Sequence, residues 1–334
     1  MITVAVASPM IPPEWIAAHG VQPRCVPAPM KMASEAAGRR GVCPYAGAVT
    51  EVSGGIVLAT TCDQMRYAAS VLEQRGDAHV FLMNITSTWQ TPAARSLYID
   101  ELHRLSRFLV RIGGRPPAAE DLAETMLRFE RARARLLHVR GAVSAREFAA
   151  ALVTVRERSD VEVRPERPRE GVSLALIGGP LPQADYEVLD WIEDAGGRIV
   201  LDASEWGERT LPRPFDPQRR LASPLDELAD AYFGSIPDVF RRPNDPCFDY
   251  LGRELAVRQV RGVVFRRYLS CDLWHAELPR LKAVSGVPVL DLDVAQSETS
   301  AQGRTRGRIE AFLEMFRESG QGAKSWDSGG GCPA

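Results

Sequence analysis

The sequence has little that would hold a polyanion or enter a membrane. No apolar run approaches the roughly 20 residues needed to span a bilayer, and the opening MITVAVASPM lacks the positive stretch of a secretory signal. A formal net charge of -2 and a pI near 6.3 leave no basic surplus for nucleic acid or an anionic lipid surface. The expectation is a cytoplasmic protein with no nucleic acid and no membrane among its partners. There is no Walker P-loop and no GxGxxG run, which argues against a nucleotide site on this chain. Close CxxC pairs, the usual mark of structural zinc, are missing as well, and no fixed-period repeat is evident.

What is present suits a large folded protein. The 334 residues are 45% hydrophobic and 25% charged, enough for about two domains, each with its own core. Six cysteines in a reducing compartment do not make a disulfide framework. Metal binding, catalysis or ordinary burial must account for them.

The order of apolar runs predicts an α/β fold with two parallel-sheet lobes facing a cleft and a helical segment between them. ITVAVAS, GGIVLAT and AHVFLMNI read as strands, with helices over PPEWIAAHG and from Gln64 to Arg75. Residues 91–155 switch to helical periodicity, carried by Leu97, Leu102, Leu105, Phe108 and Leu109. The polar run VRERSDVEVRPERPREG reads as a linker, which places an N-terminal lobe with helical extension at 1–168. VSLALIGGPLP, RIVLDAS, GVVFRRYLS and PVLDLD repeat the strand pattern in a C-terminal lobe at 169–320, interrupted by a proline-punctuated insert. The Gly-rich residues 321–334 read as a flexible tail.

Three cysteines are each placed where a predicted strand gives way to a loop or helix: Cys43 in GVCPYAG, Cys62 in LATTCDQMR and Cys271 in RYLSCDLWH. Ligands in open parallel sheets bind beyond the carboxyl ends of strands, which is where Cys62 and Cys271 should lie. Thiolates are soft ligands that select zinc or iron-sulfur clusters, and three can hold a cubane with one iron open to substrate. The other reading is small buried hydrophobes at strand ends. From the residues alone both stay open.

The chain resembles the family of 2-hydroxyacyl-CoA dehydratase and benzoyl-CoA reductase subunits, which includes the double-cubane cluster proteins. The resemblance covers most of the chain. It rests on PPEWIAAHG, CPY, TTCDQMR, FLMNITSTWQTPAARSLYIDELHRLSRFLVRIGG, the DPC at Cys247, GVVFRRYLSCD and GRTRGRIEAFLEMF, in this order. It implies two flavodoxin-like (Rossmann-like) lobes with a [4Fe-4S] cluster, or a double-cubane [8Fe-9S] cluster, held by Cys43, Cys62 and Cys271. It also implies a separate ATP-hydrolysing iron-sulfur activator that delivers a low-potential electron, and a homologous second subunit or a homodimer. In such dehydratases the electron enters a thioester carbonyl; in the aromatic reductases it enters the ring.

Cys247 is a further candidate ligand or cluster neighbour, against a buried thiol at a helix start. Cys25, in a Pro-rich loop, and Cys332, in the tail, are expected to be incidental. Glu14 and His275 are the candidate catalytic acids or bases, although a Glu in the first turn of a helix also satisfies backbone donors. Asp63 and Asp272 have the same two readings, with capping preferred. His103 falls within helical periodicity and His19 is a weaker candidate. Gly178-Gly179-Pro180 either meets a phosphate or makes a tight turn.

The leading expectation is an iron-sulfur catalytic subunit acting on a CoA thioester with ATP-driven electrons. One alternative is a homodimeric double-cubane reductase of small molecules; another, of a different class, is a two-lobed solute-binding module. The chain is compact beside the CoA-handling subunits the resemblance implies, so a partner subunit would supply a full acyl-CoA pocket.

Overall fold

In the computed structural model, which describes residues 2–26, 42–163, 165, 170–294 and 299–321, the chain forms two four-stranded sheets. The first is built from β1 (Thr3–Val6), α1 (Pro13–Ala18), β2 (Gln22–Cys25), α2 (Pro44–Thr50), β3 (Gly54–Ala59), α3 (Asp63–Arg75) and β4 (Ala78–Met83). Three helices follow: α4 (Pro92–Arg111), α5 (Ala119–His138) and α6 (Ala145–Glu157). The second half runs β5 (Val172–Gly178), α7 (Glu187–Asp194), β6 (Gly197–Ala203), α8 (Pro217–Ala222), α9 (Pro224–Tyr232) and α10 (Asp245–Val257). It closes with β7 (Gly262–Tyr268), α11 (Asp272–Ser285), β8 (Val289–Val294) and α12 (Thr299–Gln321).

All strand pairs are parallel. The order β2-β1-β3-β4 of the first sheet recurs as β6-β5-β7-β8 in the second, the order with which flavodoxin-like sheets begin. The expected α/β class with two parallel-sheet lobes is therefore what the chain adopts. Both sheets are covered on both faces, as parallel strands require. In β3, Val57 points into the core shared with α1, α4 and α5, while Ile56 and Leu58 point to α2 and α3. In β5, Leu174 and Leu176 meet α7 and α12, while Ala175 and Ile177 meet α10 and α11. These side chains are 0–1% exposed, and cutting such a leucine to alanine costs about 2–5 kcal/mol.

One expectation needs correction. Cys25 does not lie in a loop; it ends β2, paired with Val6. A strand containing Pro23 reads as loop because proline cannot donate to a ladder, but β2 is an edge strand, where that loss is tolerated. The proline-punctuated insert lies between β6 and α10. It contains α8 and α9, each with proline in its first turn, where a missing N–H is harmless. Leu228, Tyr232, Phe233 and Phe240 from this segment enter the core of the first lobe.

Cys332 and the tail beyond residue 321 lie outside the described residues, as does most of the segment around residue 168. Among the described residues no helix is long and apolar enough to cross a membrane.

Candidate functional site

The carboxyl ends of both sheets open on one cavity of about 820 Å³. Residues after β1 (Ser8, Pro9, Met10), after β3 (Thr60, Thr61, Cys62) and after β4 (Asn84, Ile85) form one side. Pro180 after β5, Glu205 after β6 and Ser270 and Cys271 after β7 form the other. Each sheet's order reverses between its first and third strands, so the two switch points face each other across this space. The volume is in the range of roughly 300–1,000 Å³ typical of small-molecule sites.

Cys43, Cys62 and Cys271 all line the cavity. Each is the N-cap residue of a helix, α2, α3 and α11 respectively. The local sequence explains this: Pro44 is favoured at the first helical position, and Asp63 and Asp272 place a carboxylate in the first turn, against the positive end of the helix dipole. The two aspartates are exposed helix-start residues, and Asp63 pairs with Arg66 at 3.4 Å.

Hydrogen bonds tie the three segments together. The Cys43 N–H donates to Gln64 Oε1 at 3.0 Å, and Ser270 Oγ donates to Val42 O at 3.4 Å. Tyr45 Oη donates to Ala7 O at 3.3 Å and accepts from Trp206 Nε1 at 3.2 Å, bridging the lobes. Gly179 passes beside the third thiol: a Cβ there would lie 4.0 Å from Cys271 Sγ. Gly178, with φ of +144°, approaches β7 so closely that a Cβ would fall 1.9 Å from Arg266 O. Gly178 thus ends β5 in register with Arg266, and the chain bends at Gly179 beside the Cys271 segment.

Burial sets the protonation of these thiols. It pushes Cys62 up to about 11 and Cys271 up to about 12, and it raises Cys43 as well. The backbone amides of Met65, Trp274 and Ala46, at the three helix starts, act in the opposite sense. Arg266, 3% exposed and bonded to Pro180 O and Asp185, also favours the Cys43 thiolate.

Other candidates lie elsewhere. Glu14 is fully buried, paired with Arg133 and accepting from Tyr232 Oη at 2.7 Å, away from the cavity. His275 is an exposed residue of α11 that does not line the cavity. His19 is buried between Trp15 O and Ser106 Oγ, both at 2.7 Å, and His103 is exposed. Cys247, 1% exposed, packs in the second-lobe core and faces a separate cavity of about 40 Å³ with Trp89, Arg241 and Asn244. Burial pushes its thiol up to about 12.

Glu205, Trp274 and Arg266 were not singled out by sequence. Glu205 lies two residues past the carboxyl end of β6, near the position that the strand-end rule points to. Trp274 lines the cavity with its ring backed by the Arg209 guanidinium at 5.2 Å.

The donor set is soft, and the thiols come from separate helices in both lobes. Among the described residues no group of three or more His, Cys, Asp or Glu side chains is gathered as for one metal ion. A polynuclear cluster presents its ligating irons at separate corners, so thiols spread around a cavity fit such a group.

No curated protein matches the chain. Among solved structures it is similar to the SBP FpvC from Pseudomonas aeruginosa in complex with Mn2+, at 12% identity over 96% of this chain and 100% of that one, with a TM-score of 0.24. It is likewise similar to a mutant laminin-binding adhesin, Lmb, from Streptococcus agalactiae, at 10% identity over 94% and 98% of the two chains and a TM-score of 0.22. A periplasmic metal binding protein from Candidatus Liberibacter asiaticus gives 8% identity, 94% and 99% coverage and a TM-score of 0.24. Scores this low carry no argument about fold or function. The sequence pattern described as 2-hydroxyglutaryl-CoA dehydratase, D-component, by contrast, matches residues 9–316, nearly the whole chain, and the protein belongs to that family.

Proposed function

We propose that this chain is the cluster-bearing subunit of a 2-hydroxyacyl-CoA dehydratase-type enzyme, with Cys43, Cys62 and Cys271 as cluster ligands. One observation carries the reading: three N-cap thiols, contributed by both lobes, line a single cavity at the facing switch points of two parallel sheets. A [4Fe-4S] cluster bound there would supply low-potential one-electron chemistry to a thioester carbonyl.

The chain's own residues do the rest. The thiols give up their protons on binding, helped by the amides at the three helix starts. Met10, Ile85, Phe240 and Trp274 keep water from the cavity walls. Thr60, Asn84 and Ser87 offer hydroxyl and amide groups for orienting a substrate. Cys247, in its own small cavity, has no part in this reading.

A family described as one component of a dehydratase supports a second subunit, and the lack of a P-loop supports ATP hydrolysis on a separate activator. Free thiols and an oxygen-sensitive cluster suit the cytoplasm. A second reading, a homodimeric reductase of small molecules on a double-cubane cluster, is favoured by the charge of the walls. Among the described lining residues only Arg66 is cationic, against Asp63, Glu205, Asp238 and Asp272, so these walls offer little to CoA phosphates.

The test is turnover by anaerobically purified chain. Dehydration of a 2-hydroxyacyl-CoA that requires a second subunit, activator and ATP supports the first reading. Reduction of small molecules by the chain alone with an activator supports the second. Reversible ligand binding that survives joint Cys62→Ser and Cys271→Ser substitution, without turnover, favours a binding module.

A further inference from the structure

Glu205 stands in the cavity wall, and among the described residues no side chain pairs with its carboxyl. β6 ends at Ala203, and the chain turns through Ser204, Glu205 and Trp206. The turn is fixed from both sides: the Glu205 N–H donates to Gly179 O at 3.3 Å, and its C=O accepts from Thr210 Oγ1 at 2.6 Å. Trp206 anchors the same turn to the first lobe through Tyr45. The backbone therefore holds the side chain at the cavity that the three thiols share. Among the described residues the carboxyl makes no hydrogen bond or ion pair.

Its charged neighbours are engaged with each other. Asp238 accepts from Arg209 Nη1 at 2.8 Å and from the Phe240 N–H at 3.1 Å. Arg209 gives further bonds to Ala203 O and Pro237 O. Among the described residues, Tyr45 and the thiols of Cys43, Cys62 and Cys271 also sense this carboxyl, and Asp63, Arg66 and Asp272 line the same cavity.

We propose that Glu205 is the acid–base group of the cavity, passing its proton to the substrate hydroxyl as the bond from that oxygen to carbon breaks. This rests on the dehydratase reading. The oxygen leaves as water and Glu205 is left a carboxylate. The hydrogen lost as a proton from the adjacent carbon returns to it, so the alkene forms with no net change of oxidation state. Burial, with the Asp238 charge close by, raises this carboxyl to about 8, so the donor form is present at neutral pH.

The test uses Glu205→Gln, which keeps size and polarity but has no acidic proton, in the chain assembled with its second subunit and activator and given 2-hydroxyglutaryl-CoA. The expected result is unchanged iron per chain, a rate lower by about 10²–10⁴-fold and loss of the alkaline limb of kcat/KM. Glu205→Asp should restore part of the rate. Infrared titration of the unliganded parent should show a carboxyl band that titrates near pH 8 and is missing from E205Q. An undiminished E205Q rate, or a carboxyl that ionises at the ordinary value of 4.5, overturns the proposal while leaving the cluster assignment standing. A parent without iron, or inert toward hydroxyacyl thioesters, instead brings down the dehydratase reading and this role with it.

Discussion

The phenolic hydroxyl of Tyr232 donates to Glu14 Oε2 at 2.7 Å, joining residues 218 apart in the sequence. Glu14 Oε1 is held by Arg133, so α1, α5 and α9 meet at one buried charge. Removing one member of a buried pair strands the other. Glu14→Gln should therefore cost about 3–5 kcal/mol, and Tyr232→Phe about 1–2 kcal/mol, in urea unfolding. Neither should lower bound iron below its melting temperature, because the pair lies away from the cavity; loss of iron in folded E14Q would tie Glu14 to the cluster instead.

Cys62 should be a sluggish nucleophile in the cluster-free chain. Its thiol, raised from 9.0 to about 11 by burial, holds about 100-fold less thiolate at pH 8 than an ordinary one. Iodoacetamide labelling followed by mass spectrometry should give a correspondingly low rate that climbs tenfold per pH unit up to about pH 11. Loading the cluster at neutral pH should release protons, since all three thiols start protonated.

Much of this arrangement could be read from the chain. Continuous apolar runs gave β3, β5 and β7 because strands covered on both faces have no polar alternation to obscure them. The strand-end rule brought Cys62 and Cys271 toward one place, and the two sheets do converge there. β2 was not legible because Pro23 is tolerated only through its edge position, a property of the sheet and not of the segment. The partner of α9 was also hidden: periodicity gives an apolar face, but not that Leu228 and Tyr232 would cross to the other lobe. Glu14 looked like a possible proton relay, and only its burial against Arg133 shows where its charge goes.

Glu205 should leave a signature in the pH dependence of stability. Between its ordinary value of 4.5 and about 8, the folded chain keeps a proton that the unfolded chain gives up. The contribution is complete below 4.5 and is lost as pH rises through about 8, at up to about 1.4 kcal/mol per pH unit. Urea titrations from pH 5 to 9 should show this slope in the parent and a flatter profile in Glu205→Gln. Equal slopes would mean that the carboxyl is ionised throughout.

Gly178→Ala tests the close approach of β5 to β7. The added Cβ would fall 1.9 Å from Arg266 O, at a φ of +144° that L-residues avoid. The cost should exceed about 3 kcal/mol, with iron binding lost in step because β5 and β7 flank the Cys271 segment. A near-neutral change in the urea midpoint would show that the two strands are less closely apposed.

The most direct measurement is iron and acid-labile sulfide per chain on protein purified without oxygen, for the parent and for Cys43→Ser, Cys62→Ser, Cys271→Ser, Cys247→Ser and Cys332→Ser. The account predicts about four of each in the parent, a marked drop in each of the first three variants and parental values in the last two. Folded parent protein without iron or sulfide, or equal iron in all five variants, would contradict it.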